Sequence, residues 1–426
     1  MKQYFFIYIL LIFHKEIFSI PLKISFKSIN NGPKPFIYYL INNEIFTYLK
    51  LGTPEQNILS YISFNTSFLY IPSKNLNSKY NEEKSSSYIK RKKDEITFYY
   101  EPIINGFLSN ETFHFENYYN KKIKFEKFPF ILSINSTNNN FKEFGLIGLK
   151  FKEQILIKDY PFIYYLKELN LIKNEIFTFE FNKYSDKETE GNLVLGENIH
   201  EYKNKFKQDN FYQTKILNSF GMGNNWLLKI QNITFGNIEI KTTKVIFIKI
   251  EYGVIFAPLS LIDFIENEFF NQLIKEKKCF KDIFLEQYIY YFCNENVEIS
   301  KFNDFNFNCE ELNYIFNFNY KDVFLLHDNK YYFLILFDKK NGLYWTFGKP
   351  LLYKYQLVFN TYKKTIGIYH ENKSNAYNTN TILIIMLIII LFFVFIIIKN
   401  KKKILKKQKA TELIEDIESP KIKLLD

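Results

Sequence analysis

The stretch "LKLGTPEQNILSYISFNTSFLYIPS", residues 49–73, decides how the rest of the chain is read. A β-rich segment turns at Gly52-Thr53-Pro54 and continues as an apolar strand. It then breaks into the polar run Ser63-Phe64-Asn65-Thr66-Ser67 and recovers as an apolar exit closed by Pro72. Strand, polar loop and strand in that order have the form of an active-site loop. Yet no Asp or Glu occurs between Glu55 and Glu82. A fainter copy of the same pattern lies at 248–258, "IKIEYGVIFAP". Each half later places apolar or β-type residues before a glycine, in "GLIGLK" (145–150) and "YWTFGKP" (344–350). The duplication predicts two similar β lobes with a cleft between them.

The rest of the chain agrees with a mostly-β architecture. Strand patterns occur at 45–51, 96–100, 175–181, 192–196, 226–236 and 365–370, and helical patterns only at 162–172, 260–278 and 351–357. Hydrophobic residues make up 47% of the 426, including 48 Phe and 33 Tyr, enough for a full core. Residues 1–19 carry Lys2 and then a short apolar run, the pattern of a signal peptide. Residues 381–398, "TILIIMLIIILFFVFIII", have the length and composition of a membrane span, and a basic cluster follows at once in 399–409. Together the two ends predict a single-pass type I membrane protein of the secretory pathway or cell surface. A luminal or extracellular ectodomain would precede a stalk (371–380), one transmembrane helix (381–398) and a cytosolic basic tail (399–426). The net charge of +11 owes much to that tail, so no nucleic-acid partner is expected. The five histidines are scattered and no Cys-x-x-Cys occurs, so neither metal nor cofactor is expected.

The ectodomain resembles the pepsin-type (A1) aspartic peptidases over about residues 36–370. "NEIFTYLKLGTPEQ" (43–56) matches the opening strands of that family, and "FLYIPS" (68–73), "GLIGL" (145–149), "WLLKIQNITFGN" (226–237) and "GLYWTFGKPLLYKYQLVFNTYKKTIGIY" (342–369) follow in the family's order. The resemblance implies a bilobal fold, with an N-terminal lobe at 36–185, a C-terminal lobe at 186–370 and a short N-terminal segment at 20–35. It also implies two Asp-Thr/Ser-Gly loops whose paired carboxylates share a proton, one acting as base and the other as acid. Counting from Pro54 and from Pro72 both place the first of these aspartates at Ser63. Counting back from Ala257-Pro258 places the second at Lys249. The loop threonines fall at Phe64 and Ile250, and the loop glycines at Asn65 and Glu251. The flap tyrosine falls at Tyr99, followed by Tyr100-Glu101-Pro102.

The departures predict a membrane-anchored member with no catalytic residues that binds a protein or peptide rather than cleaving it. Tyr99, Tyr100, Phe64, Ile250 and Glu251 are the expected cleft and flap contacts. Two alternatives stand beside this: an aspartic endopeptidase with an atypical site, and a surface receptor or adhesion protein that does not use its cleft. A Ser63–Lys249 pair acting as nucleophile and base is a further possibility that the residue types raise. Cys279 and Cys293 are expected to form a disulfide, leaving Cys309 as a buried thiol on a strand. Sequons at Asn65, Asn110, Asn135, Asn232 and Asn372 predict a glycoprotein.

Overall fold

A computed structural model describes residues 21–370, apart from 30–32, 77, 92–94, 99–102, 138–142, 152–160, 186, 218–224 and 341, together with 392, 396–399 and 401–402. Residues 1–370 form one compact unit and 371–426 a second. The signal peptide expected at 1–19 and nearly all of the span expected at 381–398 lie outside the described residues. Among those described, no helix is long and apolar enough to cross a membrane.

The compact unit is built from strands, as the alternating pattern requires. One sheet runs through the first lobe and into the joint between the lobes, and a nine-stranded and a four-stranded sheet carry the other lobe. The strands expected at 45–51, 192–196 and 365–370 appear as Phe46–Leu51, Glu188–Leu195 and Thr365–Tyr369. The first expected helix stops at Glu168, because Asn170 adopts a left-handed backbone (φ 55°) that ends it. The same six residues, Pro-Phe-Ile-Tyr-Tyr-Leu, start this helix at Pro161 and another at Pro35. Proline fixes the φ that a helix needs at its entry and lacks the N–H that would go unpaired there. The stretch 260–278 is a succession of short 3-10, α and π turns from Leu259 to Lys275 rather than one regular helix. Ile265 and Phe270 point inward from it.

Each lobe repeats one arrangement at its centre. In the first, strand Gln56–Ser63 runs parallel to Gly145–Gly148, which also pairs antiparallel with Leu69–Pro72. In the second, Val245–Ile248 runs parallel to Trp345–Phe347, which pairs antiparallel with Ile255–Ala257. The duplication legible in the sequence is therefore a duplication of topology.

One boundary needs correction. Residues 20–35 were expected as a lead-in outside the first lobe, but Leu22–Ile29 is a strand of the main sheet. It pairs along its whole length with Glu188–Leu195, from Leu22 opposite Leu195 to Ile29 opposite Glu188. Its alternate residues Leu22, Ile24, Phe26 and Ser28 are buried, the period-2 pattern of a strand with one face in the core. Phe26 sets its ring edge against Phe179 and Phe181, at centroid distances of 5.7 and 5.4 Å. The segment is short and its apolar residues alternate with lysine and serine, so it reads weakly from sequence. Phe26→Ala should cost about 3–5 kcal/mol in chemical denaturation, the usual loss for truncating a buried aromatic ring. A change near zero would mean that the segment is a removable lead-in.

Candidate functional site at the joint between the lobes

Ser63 and Lys249 occupy equivalent seats. The N–H of Gly148 donates to the carbonyl of Phe68 (2.7 Å) and the N–H of Gly348 to that of Val254 (3.0 Å). Ser63 and Lys249 each stand five residues before that carbonyl. The glycines are required by close approach. A Cβ on Gly148 would lie 2.5 Å from the Thr66 carbonyl oxygen, and one on Gly348 would lie 2.2 Å from that of Tyr252. The loops thus meet across the joint as the twofold pattern predicts.

What meets there is a pair of crossed hydrogen-bonded links. Ser63 Oγ donates to Glu251 Oε1 at 2.6 Å, and the Phe64 backbone N–H donates to the same oxygen at 2.8 Å. In the other direction Lys249 Nζ donates to Asn65 Oδ1 at 2.6 Å, and also to Asn225 Oδ1 at 3.1 Å. Each lobe's first loop position therefore reaches the other lobe's third. Ser63 Oγ also accepts from the Asn65 N–H at 3.0 Å, so the hydroxyl is held from both sides.

Comparison with known proteins fits this frame. The family model described as "Eukaryotic aspartyl protease" matches residues 44–370. The chain belongs to the eukaryotic aspartyl protease family. Among relatives, an aspartic proteinase from Oryza sativa subsp. japonica is 28% identical over 177 residues, covering 40% of this chain and 35% of that protein. Aspartic proteinase A1 from Arabidopsis thaliana is 30% identical over 156 residues, 35% of this chain and 30% of its own length. Cathepsin D from Gallus gallus is 24% identical over 186 residues, 41% and 46% respectively. Each match spans less than half of the relative's length.

In this aspartyl protease family member, Ser63 is 6% exposed and donates its proton to Glu251, and among the described residues it has no hydrogen bond to Lys249, so the Ser63–Lys249 pairing that the residue types raised does not form. Phe64 and Ile250, expected as cleft contacts, are 1% and 0% exposed. They lie beneath the site instead. Phe64 packs against Phe177, Phe179, Trp226 and Phe359, with ring centroids 5.3–6.3 Å away, because an aromatic ring gains more from the sheet below than from the wet cleft. Glu251 turns across the joint, while Tyr99 and Tyr100 lie outside the described residues. Cys279 and Cys293 form a disulfide between directly opposed hairpin residues, and Cys309 is a buried free thiol whose pKa burial pushes up to about 11. Of the sequon asparagines, Asn65 and Asn135 are exposed, and Asn110 and Asn232 half-buried. Asn110 Oδ1 is enclosed without a partner, and Asn372 is outside the described residues.

Two charged residues that sequence reasoning missed complete the site. Lys349, directly after Gly348, is fully buried, and its ammonium has no hydrogen-bond partner. Burial pulls its pKa down to about 7, against the attraction of Glu251 and Glu44. Glu44 is raised, first by burial and then by Glu251, with Lys349 opposing. The second oxygen of Glu251, Oε2, is likewise buried and unpartnered. The signal was present in the sequence, since a lysine interrupts an otherwise apolar run in "YWTFGKP". Nothing local marked Glu44 or Asn225.

Because the folded pKa of Lys349 lies below its unfolded value near 10.4, the unfolded chain binds the extra proton between the two. Stability should therefore rise with pH from about 7 upward, by up to about 1.4 kcal/mol per unit, and stay flat on this account below 7. Urea unfolding across that window should show the slope in the wild type and lose it in Lys349→Met. A slope that persists in the variant would remove Lys349 as its source.

Proposed function

We propose that this chain is a non-catalytic member of the aspartyl protease family that binds a protein or peptide. We further propose that it does so as a single-pass type I membrane protein, with its ectodomain on the luminal or extracellular side. The observation that carries the reading is the crossed linkage of Ser63 to Glu251 and of Lys249 to Asn65. Peptide hydrolysis by this fold needs two carboxylates around one water, one ionised and one protonated. Here one seat holds a hydroxyl already committed to a carboxylate, and the other holds an ammonium. An ammonium cannot act as a base while protonated, and its partners are two neutral amides that do not draw the proton off. The membrane placement rests on residues 381–409 of the sequence.

The full chain, purified in a non-ionic detergent, should release no fragments from a mixed peptide library between acidic and neutral pH. Turnover that disappears on changing Glu251 or Lys249 would overturn the proposal. Restoring acids should not rescue cleavage in the Ser63→Asp, Lys249→Asp double variant. Ser63→Asp alone sets a second carboxylate against Glu251 in a nearly dry joint. It should cost about 2–4 kcal/mol at neutral pH, with the loss shrinking on acidification as the two carboxylates come to share a proton. Thermal unfolding at two pH values reads this directly.

A further inference from the structure

The chemistry at the joint also says what kind of group the cleft would hold. Glu251 is the nearest carboxylate to bear on Lys249, but it bears on Lys349 as well, and its Oε1 already accepts two hydrogen bonds from Ser63 and Phe64. Glu44 acts on Lys349 and not on Lys249. One carboxylate thus serves two ammonium groups. Lys249 makes no ion pair within 4.0 Å among the described residues; its partners there are the amide oxygens of Asn65 and Asn225. Burial holds the Lys249 pKa below the usual lysine range, Glu251 opposes that, and Lys150, two residues after Gly148 in the other lobe, adds a second positive charge beside it. An ammonium carries three N–H donors, and two are accounted for. Asn65 is exposed, and Lys249, Asn225 and Glu251 are half-buried, so the Lys249 side of the joint reaches solvent.

We infer that the centre of the cleft is an anion-accepting seat, in which Lys249, backed by Lys150 and oriented by Asn65 and Asn225, receives a carboxylate of the bound peptide. This rests on the peptide-binding reading above and narrows it to acidic ligands. Where the family's frame places paired acids, this chain places a cation held by neutral amides, so the preferred ligand charge is reversed. Holding by Asn65 and Asn225 lowers the entropy lost when the lysine meets its ligand, the usual benefit of a pre-oriented group.

The test is fluorescence polarisation with the full chain, produced in a host that adds no N-linked sugar so that Asn65 stays an unmodified amide. The probes are pairs of labelled peptides identical except for a central Glu or Gln. A charge-assisted hydrogen bond at a half-buried site should favour the Glu member by about tenfold or more in Kd. The preference should fall as salt is raised, and should vanish in Lys249→Gln while Lys249→Arg keeps it. Equal binding of both members by the wild type, or a preference that salt leaves unchanged, overturns the acidic seat while leaving peptide binding intact. Binding of neither member, across a broad set of flanking sequences, overturns the peptide-binding reading and the seat with it. The salt series uses the wild type alone, so a variant that fails to fold does not decide the outcome.

Discussion

The joint between the lobes depends on one constraint: the polar groups of two facing loops that are withdrawn from water, Ser63 and the Phe64 N–H first, must find their partners across the joint. An unpaired buried polar group costs roughly what a good hydrogen bond gains, so the loops cannot change one at a time. Ser63 needs an acceptor, which Glu251 supplies, and the Phe64 N–H needs one too, which the same oxygen supplies. Lys249 needs acceptors, and Asn65 and Asn225 provide them. Changing any one of these residues alone strands its partner. This explains how a site can depart from its family's pattern at several positions while the strands around it keep theirs.

The buried charges follow from the same arrangement. Glu251 reaches across the joint with one oxygen, so its other oxygen is carried into the interior. An isolated carboxylate there would be costly; Lys349 supplies the opposing charge, while Glu44 is a second acid that Glu251 pushes toward its neutral form. Neither hydrogen-bonds Glu251 Oε2, so the balance is through space rather than by contact. Tyr61 and Tyr252, whose hydroxyls are both pushed up to about 12 by burial and by these carboxylates, stay neutral around it. The cluster therefore tolerates charge without neutralising it completely.

Much of the frame was legible because it rests on local, periodic or sterically forced signals. The turn at Gly52-Thr53-Pro54, the two glycines at 148 and 348, and the alternating strands each leave a mark a few residues long. The seats of Ser63 and Lys249 followed by counting along that frame. What counting could not give was direction. Phe64 and Ile250 read as cleft residues because they flank the seats, but a side chain at the end of a strand takes whichever face lowers its free energy. For an aromatic or aliphatic residue that face is the core. Glu251 was expected as a cleft contact. It crosses to the other lobe, because the partner that satisfies it is 188 residues distant in sequence. Leu22–Ile29 does carry the period-2 alternation of a strand, but its partner lies more than 150 residues on, so nothing local shows which sheet it joins.

The aromatic richness of the chain bears on the same joint. Phe64 stands where the family frame places a bracing hydroxyl, and it rests on Phe177, Phe179 and Phe359 from the sheet between the lobes and on Trp226. A hydroxyl brace holds one geometry through a directional bond, whereas a packed ring holds a loop by area and tolerates small shifts. The directional work then falls to side chains at neighbouring positions, Ser63, Asn65 and Glu251, which bond across the joint or to one another. In this chain the loops are anchored from below by rings and joined above by crossed polar links. That division of labour suits a cleft that retains a peptide better than one that must reposition a proton during each turnover.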